Sequence, residues 1–277
     1  MKYKLNKQII GYTAFGLIML AVFLYLRFPG RVISDYITAM VSARHPEAVL
    51  FIGTLNPDFP PGVKMENIAC GLKKNPTATM NMNSLNARIG LLDVFKGETT
   101  LFFKGNTYGG GLEGRINFAH FMSLSKPVHF EIRLNNLGLD QCAYLKELLK
   151  HQIAGTLTGA FVYRYDYERK GAKNGEGEFT LSNGSYPLRE RLLGFEKIDF
   201  TRIEGKIAIK NNALKIDRIK MMGPEFNCTL QGDITLNEDI ESSTINMNGT
   251  IEIAGSGTKR MKVAIGGILG NPTVRLM

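Results

Sequence analysis

The side chains that could do chemistry are few and scattered. Four histidines, His45, His120, His129 and His151, lie in separate stretches, and none has a second ligand at helical or hairpin spacing, so no metal centre is expected. Three cysteines, Cys70, Cys142 and Cys228, are far apart and odd in number. They make neither a Cys-x-x-Cys metal site nor a disulfide framework, and at most one bridge could form. Gly109-Gly110-Gly111 is followed by no Lys-Ser/Thr pair and opens no helix, so it reads as a loop between strands and not as a phosphate cradle. No Gly-x-Ser-x-Gly elbow, P-loop or dinucleotide-binding fingerprint occurs. Carboxylates such as Glu204, Asp233 and Glu252 fall on the polar faces of alternating stretches, where a solvated acid is the default. Neither an enzyme nor a cofactor is therefore expected. Tyr163, Tyr165 and Tyr167 share one strand parity and could stack a sugar or sit at a lipid boundary, though cross-strand packing is the commoner use of such a trio.

The elements that would have to position any site are strands. From Phe226 to Leu236 the even positions are Phe, Cys, Leu, Gly, Ile and Leu and the odd ones are Asn, Thr, Gln, Asp and Thr. Successive strand side chains point to opposite faces, so this is a strand with one apolar and one wetted side. Its second half, Gly232-Asp-Ile-Thr-Leu, has relatives beginning at Gly114, Gly177, Gly205 and Gly249, with a weaker copy at Gly159. Their uneven intervals predict a meander of hairpins of varied length and not a solenoid. Phe226, Cys228, Leu230, Ile234 and Leu236, with Ile207 and Ile209 of the Gly205 unit and Ile251 and Ile253 of the Gly249 unit, are the candidate lining of an apolar groove.

A chain of 277 residues, 44% hydrophobic, can bury a sizeable core. Its net charge of +9 is concentrated at the ends: Lys2, Lys4, Lys7, Arg27 and Arg31 precede the first acid, Asp35, and Lys259, Arg260, Lys262 and Arg275 close the chain without one. The middle is nearly neutral, which argues against a nucleic-acid surface. Residues 9–26, IIGYTAFGLIMLAVFLYL, carry no charge and are just long enough as a helix to cross a bilayer. The three preceding lysines place 1–8 in the cytoplasm and the rest of the chain across the membrane. The segment is too long for most signal peptides and lacks a nearby cleavage triplet, so an uncleaved anchor is expected. Phe28-Pro29-Gly30 ends that helix, and a linker over 27–47 holds an amphipathic helix started by Ser34 or Asp35, with Ile33, Ile37, Met40 and Val41 on one side. That side suits either the domain or the membrane surface.

Beyond it, 48–138 reads as an N-terminal β subdomain and 139–277 as a short helix followed by a C-terminal meander. Prolines 57, 60 and 61 imply a connector after a strand at 49–52; 91–97 reads as a bent strand or turn; 140–150 has helical spacing. The stretch 168–177 reads as an exposed hairpin loop, 187–193 as a helical turn closed by Gly194, and Asn211-Asn212 as a tight turn.

The anchor, Phe28-Pro29, the helix with Tyr36-Ile37, the strand and Pro57-x-Phe59-Pro60-Pro61-Gly62 together resemble the start of type II secretion system protein N. The glycine-led strands and the closing Ile265-Gly-Gly-Ile268-Leu-Gly-Asn-Pro272-Thr-Val274-Arg-Leu276 are similar to AsmA-like periplasmic β scaffolds. The resemblance implies a mainly β protein: a transmembrane helix, then an elongated, curved antiparallel sheet, either an open groove or folded over itself. It implies a bacterial inner-membrane location with the bulk periplasmic, contacts with other secretion subunits, and no catalysis. The AsmA-like relationship implies the alternative, a groove that binds or transfers phospholipid.

Overall fold

In the computed structural model, the described residues are 7–58, 62–94, 99–118, 127–149, 151–166, 172–192, 195–210, 213–237, 242–253 and 259–276. Two helices lead, α1 (Lys7–Leu26) and α2 (Gly30–Arg44). Fourteen strands follow: β1 (Ala48–Asp58), β2 (Gly62–Leu72), β3 (Asn75–Ile89), β4 (Thr99–Thr107), β5 (Gly110–Phe118), β6 (Pro127–Gly138), β7 (Ala154–Asp166), β8 (Ala172–Leu192), β9 (Phe195–Lys210), β10 (Ala213–Met222), β11 (Phe226–Thr235), β12 (Thr244–Ile253), β13 (Lys259–Ile268) and β14 (Asn271–Leu276). Two short helices interrupt them, α3 (Leu91–Val94) and α4 (Ala143–Leu149), the latter after a 3-10 turn at Leu139–Gln141.

The protein is mainly β, and its strands form one antiparallel sheet in which strand order is chain order. Short links explain this: an antiparallel neighbour can be reached by a tight hairpin, such as Tyr108-Gly109 between β4 and β5, where both residues have positive φ (51° and 71°) as a two-residue twisted turn requires. β6 pairs with β7 across the helical insertion at 139–149, so the sheet is continuous there. Thirteen steps between fourteen strands, at about 4.8 Å each, give a ribbon roughly 60 Å long.

The helices cover only small parts of it. α2 packs on β1, and α4 packs on β3, whose first half runs past the end of β4 because that pairing starts at Ser84 opposite Asn106. Elsewhere the closest backbone approaches are between neighbours in strand order. The accessible surface is 18712 Å², half as much again as the roughly 12,000 Å² expected for a compact monomer of 30.8 kDa.

Several local expectations change. α2 starts at Gly30, not at Ser34 or Asp35, since Pro29 already supplies the break. The Pro57 region belongs to β1: an edge strand tolerates a residue without an N–H. Residues 75–89 are one long strand, and 91–94 are helical. Residues 172–177 and 187–192 are both in β8; Pro187 pairs with Lys197, and the sheet overrides the local turn preference. Tyr167, Gly194, the Asn211-Asn212 turn and Phe59-Pro60-Pro61 lie outside the described residues.

α1 is continuous and its described apolar side chains, Phe15, Ile18, Leu20 and Phe23 among them, are exposed. The side chains of Lys7, Ile9, Leu17 and Leu24 are outside the described set, and among the described residues no helix is long and apolar enough to cross a membrane.

Candidate functional site

The register lines up the apolar positions of successive strands into rungs that run across the ribbon. One rung crosses all fourteen strands: Leu55, Met65, Leu85, Gly105, Leu112, Leu134, Gly159, Phe179, Gly205, Ile219, Leu230, Gly249, Val263 and Leu276. The adjacent one does too, from Pro57 and Val63 through Phe103, Ile132, Phe161, Ile207, Ile216 and Met247 to Val274. Neither holds a polar or charged side chain. The glycine-led units are spaced by this register: Gly159, Gly205 and Gly249 fall in the first rung and Gly114, Gly177 and Gly232 in the second.

Each such glycine lets a cross-strand neighbour lie flat. A Cβ on Gly205 would stand 2.2 Å from the Phe179 ring, and one on Gly114 would stand 2.6 Å from the Phe103 ring. Most rung side chains are half-buried by their neighbours within the sheet, while Val274 and Leu276 at the β14 edge are 46% and 39% exposed. At the β1 edge the reverse holds. Ile52 and Leu55 are only 8% and 5% exposed, and α2 is the element that packs on β1 besides β2. Between the edges the rung side chains are buried or half-buried, Val263 at 3% and Ile216 at 5% exposed being the deepest.

The nine candidate residues all fall on this C-terminal part of the sheet, in different surroundings. Phe226, Cys228 and Ile251 form a closed cluster with Val263, packed by Phe195, Ile198 and Ile253; the Phe195 and Phe226 rings are 5.9 Å apart. Leu230 touches both this cluster and a second one, Ile216, Ile245 and Met247, against which Ile207 and Ile234 pack. Ile209 lies opposite Gly175 and Leu214 in a third rung that also holds Ile234. Leu236 is half-buried just past the end of β11. Tyr163 sits in that same third rung, between Phe130 and Gly175. The lining was read from the later strands alone; the equivalent positions on β4–β8 carry the same signal, a large apolar residue two or four positions from a glycine.

The opposite face is polar and internally neutralised. Arg115 Nε and Arg133 Nη2 each donate to Glu131, at 3.0 Å, and Arg88 donates twice to Asp58, at 3.0 and 2.9 Å. Arg202 pairs with Glu204 at 2.7 Å and Arg260 pairs with Glu252. An open groove of about 480 Å³ lies between Arg88, Phe102, Lys104, Arg115 and Arg133. His129 beside it is held below its ordinary pKa by burial, with Arg115 and Arg164 adding to the effect. Among the described residues no three His, Cys, Asp or Glu groups come together as a metal would need.

No family model, curated protein or solved structure matches the chain.

Proposed function

We propose that this is a membrane-anchored, non-catalytic protein of the bacterial inner membrane whose apolar sheet face holds the acyl chains of phospholipid. The observation that carries the reading is the pair of rungs that cross every strand of the single sheet without one polar side chain. Apolar surface left in water costs roughly 25 cal/mol per Å², so a continuous apolar strip whose side chains are mostly half-buried favours an apolar occupant for the part still accessible. Acyl chains would remove the cost without hydrogen bonds, which the rungs could not supply. The anchor fits the same reading: α1 is uncharged from Ile9 to Leu26, about 27 Å of helix, and its exposed apolar side chains suit a bilayer.

A scaffold in a secretion apparatus, as the N-terminal resemblance implies, is the second reading. β14 favours it: all six residues are exposed, among the described residues it pairs only with β13, and an open edge can accept a partner strand. Photoreactive residues placed in the full-length chain in membranes separate the two. Lipid adducts at Phe179 and not at Thr180, one face against the other, support the lipid reading. Lipid adducts at neither position would sink it, and protein adducts confined to Arg275 would leave the scaffold.

A further inference from the structure

The two sides of α2 have different partners. Ile33, Ile37 and Val41 are half-buried and form the side that packs on β1. Val32, Tyr36 and Met40, spaced four apart, are 67%, 66% and 37% exposed, and Ala39 and Ala43 beside them are also exposed. Together the two stripes make an arc, apolar except for Arg44 at the C-terminal end, covering roughly 200° of the helix, about twice what a helix packed on a single surface needs. One half of that arc has the sheet. The other half needs a second apolar surface.

We propose that this outer stripe of α2 lies in the headgroup region of the bilayer that α1 enters, so that α2 seats the β1 end of the sheet on a lipid surface. Three features commit it to lipid. α1 ends at Leu26 and α2 starts at Gly30, so α2 leaves from the place where a membrane-embedded α1 would emerge. Arg27, Arg31 and Arg44 are exposed and accompanied over that span by one acid, Asp35, which suits anionic headgroups. Tyr36 carries an apolar ring with a polar tip, a shape favoured at that depth. An interfacial helix of this kind buries its apolar side about 5–10 Å below the headgroups. The inference rests on the anchor and not on acyl chains filling the sheet face.

The chain has no tryptophan, so a single one reports its own surroundings. Tyr36→Trp, Phe15→Trp and Phe102→Trp variants of the full chain would be reconstituted in vesicles of phosphatidylcholine and phosphatidylglycerol with acyl chains brominated at shallow or deep positions. The expected result is blue-shifted Tyr36→Trp emission that loses most intensity to the shallow label. Phe15→Trp in α1 loses most to the deep label, and Phe102→Trp on the polar sheet face is unquenched. Tyr36→Trp as unquenched as Phe102→Trp, with Phe15→Trp quenched, overturns the seating of α2 alone. Phe15→Trp also unquenched overturns the anchor with it, and neither outcome touches the lipid adducts at Phe179.

Discussion

Cys228 shows what the rungs do to a single side chain. It stands between Met221 and Ile251 in the register and within the cluster closed by Phe226 and Val263, so burial pushes its thiol up from 9.0 to about 11. Below about pH 9 the thiol is neutral in both the folded and the unfolded chain and adds no pH dependence. Between 9.0 and about 11 the unfolded chain ionises while the folded thiol keeps its proton, so stability falls as pH rises through that window. Tyr108, held near Cys142 and raised to about 12 by burial first and by that thiol second, extends the loss to higher pH. Urea unfolding of the protein and of Cys228→Ala across this range checks the assignment. The stability difference between them should be constant below about pH 9 and then shrink, because the variant lacks the titrating group. Parallel curves up to pH 11 would mean that Cys228 is not desolvated.

At the scale of elements, the docking of α2 depends on one close approach. A Cβ on Gly30 would stand 2.0 Å from the Leu55 carbonyl oxygen. Gly30→Val should therefore lift α2 from β1, at a cost of about 1–3 kcal/mol for the forced displacement. Hydrogen exchange should then quicken in Ala48–Asp58 and leave β8–β10 as they were; unchanged exchange in β1 would show that α2 is not its cover. The sequence made β11 legible because Phe226 to Thr235 alternates without interruption, and it made Gly205 and Gly249 legible as the starts of similar strands. It hid the full rungs, because alternation slips a frame wherever the register shifts. Leu134 and Leu137 line up with Gly159 and Leu157 around Asn136, whose φ is 54°, and Ile216 and Ile219 face Gly232 and Leu230 with two residues between them. Parity counted along one strand cannot follow such a bulge; only the partner strands restore the frame. The tail of β8 was hidden for a related reason: Pro187 argues locally for a turn, while β9 offers it a partner in Lys197.

For the whole molecule, a ribbon whose strands pair only with chain neighbours, with side chains reaching one strand further as from Arg88 on β3 to Asp58 on β1, approaches the energetics of a linear array, where stability is a sum of local terms and damage stays near its source. Gly205 is the place to test this. It lies between Phe179 on β8 and Ile219 on β10, in the middle of the first rung, and a side chain there collides with the Phe179 ring. Gly205→Val should cost about 1–3 kcal/mol of overpacking. In a closed core that cost would be shared by every element through one cooperative transition. Here it should fall on the interfaces of β8, β9 and β10: exchange should quicken across 175–222, β2–β5 should keep their protection, and urea should give two transitions where the unaltered protein gives one. Equal acceleration in all fourteen strands would show that the sheet unfolds as a unit, through contacts that reach beyond adjacent strands. That result would also count against acyl chains on the rungs, since the simplest source of such contacts is the sheet closing over its own rungs.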